Sequence, residues 1–128
     1  MANAEHAAEW LRYAKMDYAM AKHGKSLHPV PLEIICFHCQ QASEKALKAI
    51  MAYHEDEIPR THNISDVLSL CETHYPGIAL RFAHQADRLT NFAAVTRYPY
   101  SEIEVTEADM ELALENAEQI LSYVTSLW

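Results

Sequence analysis

Apolar residues return every three or four positions along almost the whole chain, and nowhere do they alternate at two. That spacing lines them up on one side of an α-helix and does not suit a half-buried strand. From Asn3 to His23 the chain is rich in Ala, Glu, Lys and Met, which are strong helix formers. Asn3 is placed to cap this helix, and Gly24 to stand just past its end. Trp10, Tyr13, Ala14, Tyr18 and Ala21 form its apolar stripe. A connector follows, and Pro31 suits the first turn of a second helix over about Leu32 to Tyr53. Ile35, Cys36, Cys39, Ala42, Ala46 and Ile50 share its inner face, and Glu44 and Lys48 stand i,i+4 in the favourable order.

A polar break over His54–Pro59 leads to a short third helix with Ile64, Val67, Leu68 and Cys71 on one side. Pro76-Gly77 marks a turn, and a fourth helix is predicted over about Ile78 to Phe92. Tyr98-Pro99 breaks the pattern again. The last helix opens on Thr106 with Asp109 three residues on, a capping box with Asp in the usual place of Glu. It continues through Met110, Ala113, Leu114, Ala117, Ile120, Leu121, Val124 and Leu127. The predicted fold is all-α, a bundle of four long helices plus one short helix, in a single domain over residues 1–128.

At this length folding buries roughly two-thirds of the extended chain's surface, so a core forms without disulfides. Half the residues are hydrophobic, which excludes a disordered chain. The formal net charge of −8 argues against a broadly basic nucleic-acid glove. The charge is unevenly spread: no lysine follows Lys48, and no base at all follows Arg97. The bases in the middle of the chain are Arg60, Arg81, Arg88 and Arg97, which reads as placed cations rather than a solubilising coat. No stretch is apolar enough to span a membrane, and the first residues lack the apolar core of a signal peptide. A cytoplasmic location with free thiols is therefore expected for the three cysteines.

Cys36-Phe37-His38-Cys39 has the spacing of a redox pair or half a zinc site. Cys71 stands alone, and no second half exists in the sequence. The pair falls on the inner stripe of a helix, so both cysteines are read as core residues, with no metal and no cofactor expected. The eight histidines form no HExxH motif. The densest polar and aromatic cluster runs from Asp87 to Tyr100, with Arg88, Thr90, Asn91, Thr96, Arg97 and Tyr98 at a helix end and the segment after it. Guanidinium forks, an amide, hydroxyls and a ring are what a phosphate or a base requires. The same residues would equally serve a helix end whose arginines satisfy carbonyls and nearby acids.

Four stretches occur in order over nearly the whole chain: Trp10–Asp17, Cys36–Lys48 (CFHCQQASEKALK), Arg60–Ile64, and Arg88 through Arg97-Tyr98-Pro99. Together they resemble the HEPN domain family. The resemblance implies an up-and-down bundle of four to five helices that usually dimerises. It also implies a minimal nucleotidyltransferase as partner in a toxin–antitoxin pair, with nucleotide binding as the shared property. Other members of that family are metal-independent RNases, marked by an Arg with a His about four to six residues on. Here Arg88 is the best-placed Arg, and Ala93, Ala94 and Val95 stand where its His belongs. RNase activity by that mechanism is therefore not expected, because the motif's imidazole, which would move the 2′-hydroxyl proton, is missing.

The leading expectation is a non-catalytic, homodimeric module that binds a nucleotide or an RNA phosphate. Its ligand residues would be Arg88, Asn91, Arg97 and Tyr98, with His38, Gln41 and Lys45 of the second helix facing the same cleft. The alternatives are a diverged RNase toxin with His38 or His84 as the base, and a pure protein-interaction module using the acidic last helix. Tyr98 and Tyr100 are candidate acceptors for nucleotidylation by the partner.

Overall fold

The computed structural model describes residues 3–92 and 104–128 of the 128-residue chain. Among these residues there are six helices: α1 (Ala4–Gly24), α2 (Leu32–Tyr53), α3 (Ile64–Cys71), α4 (Ile78–Arg81), α5 (Ala83–Thr90) and α6 (Glu107–Thr125). No strand occurs among the described residues. None of the helices is long and apolar enough to cross a membrane.

The capping chemistry follows the sequence. The Asn3 side chain accepts from the His6 amide, and Asn63 caps α3 by accepting from Asp66 N. Thr106 and Asp109 form the reciprocal capping box that opens α6. Gly77 sits at φ +94°, the left-handed conformation that the turn before α4 requires. Two amides at the start of α4, Gly77 N and Ala79 N, donate to the Glu72 carboxylate, at 2.6 and 3.0 Å. Those bonds hold the Glu72 carboxyl below its ordinary range.

α2 is the centre of the bundle. It packs against α1, α3, α5 and α6, and nearly every residue from Ile35 to Ala52 is buried or half-buried. Leu47 and Ile50 from α2 join Ile64 and Leu68 of α3, Ile78 of α4, Leu89 of α5 and Met110 and Ile120 of α6 in one core. The inner faces expected for α2, α3 and α6 are the ones observed.

Three details differ from the sequence reading. The helix expected over 78–92 is broken at Phe82 (φ −111°, ψ 17°), where the buried ring meets Tyr123 of α6 edge-on with centroids 5.2 Å apart. Gly24 is the last residue of α1 rather than the residue beyond it, and it is buried. A Cβ there would stand 2.7 Å from Ile35 Cγ1, so this glycine permits the close approach of α1 to α2. Tyr13 leaves the buried stripe of α1 and is 47% exposed, while Ala7, Leu11, Ala14 and Ala21 face the core.

Candidate functional site

Arg88 lies in the last turn of α5, and Asn91 is the residue that ends the helix. Both line a groove of about 360 Å³ with Phe92, facing Asp109, Leu112 and Ala113 of α6. The position is fixed from two sides. Leu89 is fully buried and anchors α5 in the core. Thr90 Oγ1 accepts from Ile64 N at 3.2 Å, which joins the end of α5 to the start of α3.

Among the described residues Arg88 is paired with no carboxylate, whereas Arg12 is paired with Glu9, Lys25 with Glu111, Lys45 with Asp17 and Lys48 with Glu44. In a chain with 18 acids and 10 Lys and Arg, an unpaired guanidinium beside a groove is a group available to an anion. Asp109, across the groove, is committed elsewhere: its Oδ2 accepts from Thr106 N at 3.0 Å. It also sits in the first turn of α6, where the helix dipole offsets part of its charge.

The second-helix residues expected in the same cleft gather elsewhere. His38 Nδ1 lies 3.1 Å from Asp17 Oδ1, and Lys45 Nζ donates to Asp17 Oδ2 at 2.6 Å. One α1 carboxylate thus holds both side chains, and none of the groups lining the Arg88 groove comes from α2. Lys45 instead borders an apolar-walled groove of about 400 Å³ with His6, Glu9, Trp10 and Tyr13. Gln41 donates to Gln40 Oε1 at 2.7 Å. Arg97, Tyr98 and Tyr100 lie outside the described residues.

A second polar group, on the side of α2 that faces residues 61–62, is buried. Gln40, Glu44 and Lys48 are successive turns, exposed by 0%, 3% and 5%. Lys48 Nζ donates to Glu44 Oε2 at 3.0 Å and to Thr61 O at 3.1 Å. Gln40 Nε2 donates to His62 O at 2.8 Å and reaches Glu44 Oε1 at 3.2 Å. His62 Nδ1 stands 2.9 Å from the same Oε1. The network satisfies the backbone of residues 61–62 and sets the entry of α3.

A family model for the HEPN domain matches residues 7–127. The chain belongs to the HEPN family. Two solved structures are similar to this HEPN domain. TT1696 from Thermus thermophilus is 27% identical with a TM-score of 0.78, covering 94% of this chain and 96% of that one. ST0689, an archaeal HEPN homologue, is 29% identical with a TM-score of 0.74, covering 94% of this chain and 96% of that one. No curated protein matches.

In this HEPN domain His84 stands one turn before Arg88 on the exposed side of α5, the reverse of the Arg-then-His order. Among the described residues no three His, Cys, Asp or Glu side chains converge as a metal ion requires. Cys36, Cys39 and Cys71 are free and buried. Burial pushes the Cys36 and Cys71 thiols up to about 12 and raises Cys39 as well. Such thiols are poor nucleophiles and poor metal ligands. The sequence reading singles out neither Asp17 nor the pairing of His62 with Glu44. The i,i+4 spacing of Gln40, Glu44 and Lys48 is the signal that marks the buried flank.

Proposed function

We propose that this HEPN domain is a binding module for a nucleotide or an RNA phosphate, acting as a homodimer alongside a minimal nucleotidyltransferase in a toxin–antitoxin-like pair. The observation that carries the reading is Arg88: a guanidinium with no carboxylate partner among the described residues, in a groove that also offers the Asn91 amide and the Phe92 ring. A planar fork suits a phosphate, and an amide and a ring suit a base. The absence of His at positions 93–95 favours binding over the family's hydrolytic chemistry.

Thermal denaturation with a panel of nucleotides and short RNA tests this reading. A ligand that binds only the folded state stabilises it by about 2.7 kcal/mol at 100 times its dissociation constant. The expected result is a rise in melting temperature that Arg88→Ala and Asn91→Ala reduce. No rise with any nucleotide or RNA refutes it. Co-expression with a minimal nucleotidyltransferase followed by intact-mass measurement reports whether a tyrosine is modified, and an unchanged mass counts against that part of the pairing. A catalytic reading is the alternative, with His84 as the base one turn from Arg88. It requires RNA cleavage without metal that His84→Ala abolishes.

A further inference from the structure

His54 closes α2, and the connector between α3 and α4 carries His74. Their rings lie face to face, with centroids 3.8 Å apart and planes 5° from parallel. His74 Nε2 is bonded to Asp56 Oδ2 at 2.6 Å, whereas His54 Nε2 is buried with no hydrogen-bond partner among the described residues. Tyr75, from the same connector, meets the His54 ring edge-on at 5.8 Å, and Tyr53 of α2 does so at 5.1 Å. The next residue, Glu55, is held at φ +59°, a left-handed conformation that a residue with a side chain keeps only where its surroundings impose it. Tyr53 in turn fastens two outer helices. Its carbonyl accepts from Asn3 N at 2.7 Å, just before α1, and its ring stacks on Trp128, beyond α6, at 4.4 Å.

We infer that the His54–His74 stack is an acid-sensitive latch, which holds Tyr53 against Asn3 and Trp128 at neutral pH and releases Trp128 when both imidazoles are charged. One proton is accommodated, because on His74 it is balanced by Asp56. A second proton has no place. It puts two cations face to face at 3.8 Å and leaves the His54 Nε2–H buried without an acceptor. The groups facing His54 agree with this assignment. Burial, His74 and the amino-terminal charge disfavour its cation, and Asp56 favours it but is already bonded to His74. Tyr75 stays neutral throughout, since burial lifts its hydroxyl above the usual phenol range. His54 is therefore neutral in the closed latch, and closure is lost as pH falls through its depressed value, below the ordinary 6.5. Swinging the turn at Glu55 outward separates the rings and carries Tyr53 off Trp128. The helices stay formed, because Ile50 of α2, Leu68 of α3 and Ile120 of α6 are held in the core.

The test is fluorescence of the full chain carrying Trp10→Phe, which leaves Trp128 as its single tryptophan. Emission maximum, acrylamide quenching and far-ultraviolet circular dichroism are followed from about pH 7.5 to 5, across the ordinary imidazole range. The expected result is a red shift and roughly a twofold rise in the quenching constant below the ordinary imidazole value, with helical circular dichroism retained. His54→Gln and His74→Gln should each abolish that step, because a lone imidazole cannot form the charged pair. The two variants are independent, so either one that keeps the helical signal decides. A Trp128 signal that does not change with pH, a step that survives the histidine variants, or a step that coincides with loss of helix overturns the latch.

Discussion

Replacing Glu44 by Gln keeps the shape of the side chain and removes its charge. The Lys48 ammonium is then left 5% exposed with only neutral acceptors, the substituted side chain's amide oxygen and the Thr61 carbonyl. Breaking a buried ion pair by removing one partner costs about 3–5 kcal/mol, because the other charge is stranded. For a chain of this size that corresponds to a fall in melting temperature of roughly 10–20 °C. The reverse deletion, Lys48→Met, is expected to be milder. Glu44 would keep the Gln40 amide and the His62 ring as partners. The double variant should be more stable than the sum of the single losses predicts, since it strands no charge. Thermal denaturation of the four proteins, followed by circular dichroism, measures all of these. The reasoning is refuted if Glu44→Gln melts within 2 °C of the natural chain, or if the two single losses simply add.

Two further outcomes follow from the packing. Gly24→Ala gains up to about 1 kcal/mol of helix propensity but forces a Cβ to within 2.7 Å of Ile35 Cγ1, and overpacking costs about 1–3 kcal/mol, so a net loss is expected in chemical denaturation. His54 stacks on His74 at 3.8 Å with planes 5° apart, while His74 Nε2 is bonded to Asp56 Oδ2 at 2.6 Å and His54 Nε2 is buried with no partner. Burial, His74 and the chain's amino-terminal charge lower the His54 value below 6.5 against the opposing pull of Asp56. A base depressed on folding gives stability that is present above its unfolded value and lost as pH falls through the folded one. Stability should thus decline below pH 6.5, and His54→Gln should flatten that decline in melting curves taken from pH 7.5 to 5.

Four of the six helix starts are legible in the sequence because they carry a cap or turn residue: Asn3, Asn63, Gly77 and the Thr106–Asp109 box. The break at Phe82 is not, since residues on both sides keep helical spacing and only the backbone angles of one residue depart. Nor is the side of α1 that Tyr13 faces, because a stripe of period three and four is wide enough to include a residue at its margin. Arg88 and Asn91 are legible as a pair on one helix end. Their grouping with His38, Gln41 and Lys45 needs the rotation of α2 about its axis, which spacing does not encode. Asp17 decides that rotation by holding His38 and Lys45 against α1.

The two polar flanks of α2 have a mechanical consequence. One flank is tied to α1 through Asp17, the other to residues 61–62 through Glu44 and Lys48. Any twist of α2 about its own axis would have to tear both sets of bonds at once, so the central helix behaves as a keyed shaft.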